Sequence, residues 1–315
     1  MNPVGTAARR ELWLLIAVPT GVLGLLVAAV LSRPLGHPPS DYARMLALLA
    51  GVALLGSCQV VHLEEPRHRQ ALAARLWRVQ LVVGGLWLLA ELVLLAAAAG
   101  EASSGTLASV RASTVLSYAR TLVGGRVSLL VIGCVLLAIV VLALARGASW
   151  SSSSVLALCV VALECRPLTG HSQISALAQI AVATHVLAAA LWCGGLAGVA
   201  LAAGGARGVW ARLLPRFSVL AGWCAAVVAA SGVLEAWLQL GRVAGLYESG
   251  YGRVVLGKTA VLLALLGLGW FARRRWVPEV SGHRGTAAVS LQRATVEVAV
   301  MGLALGLAVA LATTG

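Results

Sequence analysis

Two histidines define the chemistry this chain could carry out. His171 and His185 lie in an otherwise small and apolar stretch, 169–200, and Trp192 follows His185 at i+7, on nearly the same helical face. A neutral imidazole is a ligand for copper and related metals, and a metal must find it deprotonated. Glu164 and Cys165 stand just before His171, while Glu91, Glu235 and Lys258 each interrupt another apolar run. Carboxylates can neutralise a bound cation or carry protons, and a thiolate suits Cu(I). A second set is thinner. Cys58 and His62, four residues apart, share one face of a helix, with Gln59 and Glu297 as further polar candidates at similar depth. For each of these groups an ordinary structural role competes with ligation: a packing histidine, an ion pair between carboxylate and Lys258, or a helix-terminal pair between Glu297 and Arg293.

The elements that must position these residues are membrane helices. Of 315 residues, 60% are hydrophobic and only 11% charged, with a mean hydropathy of +0.93, which excludes an ordinary soluble domain. A helix needs about 20 apolar residues to cross a bilayer. Apolar windows fall at 12–31, 44–63, 79–99, 127–145, 153–168, 173–202, 217–240, 254–271 and 294–312. The expected fold is therefore an all-α polytopic bundle of about nine spans, with 1–150 as a four-helix region and 151–315 as a five-helix region packed into one body. The fifth window is the shortest and ends in Glu164, Cys165, Arg166 and Pro167. The first is expected to be an uncleaved helix. Segment 100–126 is the longest connection on its side; its Ser, Thr and apolar mixture fits an ordinary connector or a short interfacial helix. Gly84 with Gly85, and Gly194, Gly195 and Gly198, are expected to let helices approach closely.

Several functions are excluded at this point. The formal charge of +13 is scattered over connections, where topology and anionic lipid account for it better than nucleic acid. Six cysteines at 58, 134, 159, 165, 193 and 224 form no CxxC pair, so neither a disulfide framework nor a closed zinc knuckle is expected. No Walker loop, dinucleotide fingerprint or nucleophile elbow is present, and no enzymatic activity is expected.

Orientation follows from basic residues. With an N-in, C-out topology, fifteen of the 24 Lys and Arg face the cytoplasm and nine face outward, the excess lying in 64–78 and 273–293. His171 then sits at the outer mouth. If a helix starts at Gln173, its rise places His185 roughly 18 Å along the axis. Glu91, Glu164, Glu235 and Lys258 also fall in the outer half. Polar groups facing lipid separately would each carry a desolvation cost, so a shared pocket is expected.

At these residues the chain resembles the copper-resistance D (CopD) family of bacterial inner-membrane proteins. The likeness is carried by TGH at 169–171, AAALWCGGL at 188–196 after His185, RFSVLAGWCAAVVAASGVLEAWLQL at 216–240, YGRVVLGKTAVLLALLGLGWFARRR at 251–275 and LQRATVE at 291–297. Glu235 stands where relatives often carry a neutral amide. The resemblance implies copper as the bound ion, inner-membrane location, and import of copper toward the cytoplasm. It also implies membrane lipid, an extracytoplasmic copper-binding protein or an oxidase assembly factor as partners. On that reading His171, His185, Glu164, Cys165, Glu91 and Glu235 serve the metal, with Cys58 and His62 as an inner site. Two alternatives stay open: copper delivery or oxidase assembly without transport, and haem-bound electron transfer. His171 and His185, fourteen residues apart along one helix, cannot be the two axial ligands of a single haem.

The topology makes a testable statement. In a cysteine-free background, a cysteine at 171 or 315 should react with an impermeant thiol reagent from outside, and one in 67–78 or 273–293 only from the cytoplasm. Labelling of position 171 from the cytoplasm alone would reverse the assignment.

Overall fold

A computed structural model describes residues 12–33, 38–103, 110–170, 176–240, 245–282 and 284–314. Every regular element among them is helical. Nine are long: α1 (Ala17–Leu31, preceded by a 3-10 turn at Leu12–Ile16), α2 (Ser40–Leu63), α3 (Pro66–Ala102), α5 (Val123–Ala145), α6 (Ser149–Gly170), α7 (Ala176–Ala203), α8 (Arg207–Leu240), α10 (Gly250–Phe271) and α12 (Ala287–Thr314). Three are short: α4 (Ala112–Thr121), α9 (Gly245–Glu248) and α11 (Val277–Ser281), the last joined to α10 by a π-helical turn at Ala272–Trp276.

Eight of these helices are long and apolar enough to cross a membrane. The exception is α6, the element expected as the fifth span. It forms and packs against α2, α5 and α7, but its serine run at 151–154 and the charges of Glu164 and Arg166 dilute its hydropathy. Segment 64–78, expected as a connection, is instead helical from Pro66 onward. Proline suits the first turn of a helix, where its missing N–H has no intrahelical partner, so α3 starts there and carries Arg67, Arg69, Arg75 and Arg78 on its own first turns. Likewise α8 begins at Arg207, ten residues before the expected apolar window, and segment 100–126 contains α4.

Contacts at the helix ends sort the chain into two faces of the bundle. At one, Glu64 receives the Arg212 guanidinium on both oxygens, with Nε at 3.1 Å from Oε1 and a terminal nitrogen at 3.1 Å from Oε2. Arg216 bonds Glu65 at 3.2 Å, Gln70 reaches Gly147 and Ser149, and Arg207 reaches Gly285. At the other, Ser40 gives its amide and hydroxyl to the Glu101 carboxylate at 2.9 and 2.8 Å. There Arg253 also caps the carboxyl end of α1 by donating to the Leu31 and Arg33 carbonyls, a favourable place for a cation. These are called the Glu64 end and the Ser40 end.

Two close crossings hold the middle. Gly56 of α2 lies against Gly194 and Gly198 of α7 so tightly that a Cβ on Gly56 would overlap the Gly194 carbonyl. Small residues four apart let two backbones meet, and dispersion contacts then replace what hydrophobic burial cannot supply in lipid. The second crossing was not foreseen: Gly21 and Gly24 of α1 lie against Gly306 of α12, and Gly302 lies against Ala17 and Thr20. Gly84 meets Ile139 and Leu54, whereas a Cβ on Gly85 would meet nothing within 4 Å, so Gly85 is not the contact it was expected to be. One large apolar core draws residues from both halves of the chain, including Trp87, Trp192, Trp210 and Trp276. Trp210 and Trp276 pack with ring centroids 5.8 Å apart.

Two outcomes follow. Gly56→Ala should destabilise the bundle by about 1–3 kcal/mol, the usual range for overpacking, while Gly85→Ala stays near parent in a thermal or SDS unfolding series. The second concerns Glu64. Burial pushes its carboxyl up, but the Arg212 hydrogen bonds, the Glu65 amide and the charges of Arg212 and His68 outweigh that and hold it below the ordinary 4.5. A depressed folded pKa stabilises fully above that value and is lost as pH falls through the folded one. Glu64→Gln should therefore be less stable than parent at neutral pH, with the difference shrinking below about pH 4.5.

Candidate functional site

The polar groups expected in one pocket separate into two clusters. The first joins α7, α8 and α10. His185, only 8% exposed, places Nδ1 3.0 Å from the Ser231 hydroxyl and Nε2 3.2 Å from the Lys258 Nζ. Glu235 brings Oε1 to 3.7 Å from Nδ1, too long for a hydrogen bond but close enough to act on the ring electrostatically. Ser231 and Glu235 are four apart on α8 and so present one face to the ring. Gly232 leaves room for it: a Cβ there would stand 3.4 Å from the imidazole Cε1.

Hydrogen bonding assigns the tautomer. The Ser231 hydroxyl donates to the Val227 carbonyl at 2.6 Å, so its oxygen accepts from Nδ1–H. Nε2 then carries the lone pair and accepts from Lys258, which is a donor here. The nitrogen able to bind a metal therefore faces Lys258, and Glu235 faces the other side of the ring.

The second cluster joins α3, α5 and α6. Glu91, buried, accepts from Arg166 at 2.5 Å on one oxygen and from the Trp87 indole at 3.2 Å on the other. Arg166 also reaches the Ser128 hydroxyl at 3.5 Å. This is an ion pair within the bundle, and it accounts for both carboxylate oxygens of Glu91. Lys258, a candidate partner for either acid, lies with Glu235 and His185 rather than with Glu91. Glu164 has both carboxylate oxygens buried without a hydrogen-bond partner, and Cys165 packs against the core. His171 lies outside the described residues. Trp192 is buried in the core, as packing would have it.

Toward the Glu64 end the expected pair diverges. Cys58 is fully buried and its sulfur takes a contact of 3.5 Å from the Gln80 amide, which also bonds the Ser57 carbonyl. His62 turns to Ser153 of α6 at 3.4 Å. Gln59, 5% exposed, has neither amide atom hydrogen-bonded. Arg293 pairs with Glu279 at 2.6 Å rather than with Glu297, because α11 brings a carboxylate closer than the next turn of α12 does. Glu297 instead lines a groove of about 310 Å³ with Leu268, Phe271, Trp276 and Val296.

Among the described residues no three His, Cys, Asp or Glu side chains converge as a metal-ligand set. Of the expected ligands among the described residues, only His185 and Glu235 come together. Two participants were not singled out from sequence: Ser231, whose i+4 relation to Glu235 was the available signal, and Arg166, which counted only as a charge near a helix end.

Two family models match the chain. Residues 35–176 match the copper resistance protein D-like N-terminal domain, and residues 211–311 match copper resistance protein D. The first match extends the likeness well into the half where local motifs were weakest. Cys58, His62, Glu91, Glu164, Cys165 and His171 fall in the first match and Ser231, Glu235 and Lys258 in the second; His185 lies in the interval between them. Searches among curated proteins and among solved structures found no significant match. With two CopD models matched in chain order on a polytopic helical bundle, the chain belongs to the CopD family and is a multi-pass inner-membrane protein with a role in copper handling.

Proposed function

We propose that this protein binds copper at His185 and passes it across the inner membrane toward the cytoplasm. The observation that carries the reading is a neutral imidazole held inside the bundle by Ser231, with its metal-accepting nitrogen turned into a polar cluster rather than into packing. An intramembrane histidine so oriented is a functional group by default, because its burial in hydrocarbon is costly without a use. Glu235, on the Nδ1 side of the ring, supplies charge compensation at 3.7 Å, while Ser231 holds the ring's orientation. His171 receives the ion, and Glu164 with Cys165 stand near that mouth. Cys58 and His62 serve the Glu64 end, which the excess of Arg makes cytoplasmic, with the N-terminus in and the C-terminus out. Glu91 is assigned to the ion pair with Arg166. The reading calls for no covalent step; an extracytoplasmic copper-binding protein is the natural donor.

One observation favours a second reading, copper delivery or oxidase assembly without transport. Between His185 and Cys58 along the bundle lies the Gly56–Gly194 crossing, where two backbones touch and apolar side chains surround them. An ion would have to open that contact to pass.

Purified protein in sealed vesicles holding a lumenal copper reporter separates the two. Parent protein should give saturable flux, and His185→Ala should both weaken copper binding and slow flux without raising leak. Equal copper affinity in parent and well-folded His185→Ala would overturn the site. Binding without flux above empty vesicles, for both copper oxidation states and both orientations, would establish delivery instead.

A further inference from the structure

We infer that Lys258 is a built-in competitor for the metal position on His185, so that copper enters only by displacing the lysine side chain. The inference rests on the reading that His185 binds copper. With Nδ1–H committed to Ser231, the ring has one lone pair left, on Nε2, and Lys258 fills it at 3.2 Å. A metal bonds imidazole along that same direction, at about 2 Å for a typical metal–imidazole bond, so the two occupants exclude each other.

The displaced amine has a second place to rest. Glu235 lies on the same cluster, within electrostatic reach of Lys258, and its carboxylate faces the ring from the Nδ1 side. Four methylenes give Lys258 the reach to change partners without unfolding α10. α10 is the least enclosed of the candidate spans and packs mainly on α12, with little contact to α8. Occupation of His185 by copper would therefore release a strap between α10 and the α7–α8 pair.

The arrangement also selects among ions. A hard cation such as Na⁺ or Mg²⁺ gains little from imidazole and cannot replace the lysine donor, whereas copper bonds imidazole strongly enough to do so. Lys258 thus sets a threshold that only a nitrogen-seeking metal exceeds.

The test uses full-length protein in lipid nanodiscs, titrated with copper at fixed pH against a chromophoric competing chelator. Lys258→Leu removes the donor without adding a metal ligand. It should bind copper about tenfold tighter or more, the size expected for losing one competing hydrogen bond. The gain should vanish in a His185→Ala/Lys258→Leu double variant. Lys258→Gln, which keeps a donor, should lie between parent and Lys258→Leu. If Lys258→Leu binds no tighter than parent while His185→Ala binds more weakly, the competition is overturned and the copper site stands. If His185→Ala binds as parent does, the site itself is overturned and the competition with it. An independent readout needs no variant and no metal: 15N spectra of metal-free parent should show His185 protonated on Nδ1 with a hydrogen-bonded, unprotonated Nε2. Protonation on Nε2 instead would overturn the inference outright.

Discussion

A polar group in hydrocarbon has no water to fall back on, and that constraint places Glu91, Glu64 and His185, while Glu164 and Gln59 are among the buried groups left without a hydrogen bond. Glu91 illustrates the scale. Breaking a buried ion pair by removing one partner costs about 3–5 kcal/mol, so a carboxylate at this depth dictates where Arg166 must lie and thereby how α6 docks on α3. Glu64 does the same at the opposite end, drawing Arg212 and Arg216 of α8 onto the turn between α2 and α3. The helices are apolar nearly all round, so their faces alone specify little about register. The few polar contacts specify it instead.

Between those polar anchors the bundle is closed by shape. Gly56 with Gly194 and Gly198, and Gly21 and Gly24 with Gly306, bring α2 onto α7 and α1 onto α12 at backbone contact. The Gly56–Gly194 crossing lies between the cluster around His185 and the contacts around Cys58 and Gln80. On the transport reading, an ion passing between them has to open the Gly56–Gly194 contact. Among the candidate spans, α10, which carries Lys258, has the smallest buried share.

Copper handling is thus attached to a scaffold whose two family-matched parts flank His185 without containing it. The helix that bears His185 also makes the central crossing on α2 and packs along α8. On the proposed reading, copper on its imidazole acts on the element that holds both parts together.

Composition and the spacing of apolar runs determined that this is a polytopic helical membrane protein, because the length of a span and the need to satisfy its backbone leave few other solutions. They also marked His185 and Glu235 as intramembrane oddities, and the motifs around them pointed to the family. Helix starts at Pro66 and Arg207 were less legible, since charged first turns extend a helix beyond its apolar window. What only the tertiary structure decided is who faces whom. Depth along a helix can be counted from sequence, but rotation about the axis cannot when nearly every face is apolar. Glu91 and Lys258 share a leaflet by counting, yet one meets Arg166 and the other His185. The pairing of Arg293 with Glu279 over Glu297 has the same origin: a neighbouring element, not the local i+4 rule, supplied the nearer charge.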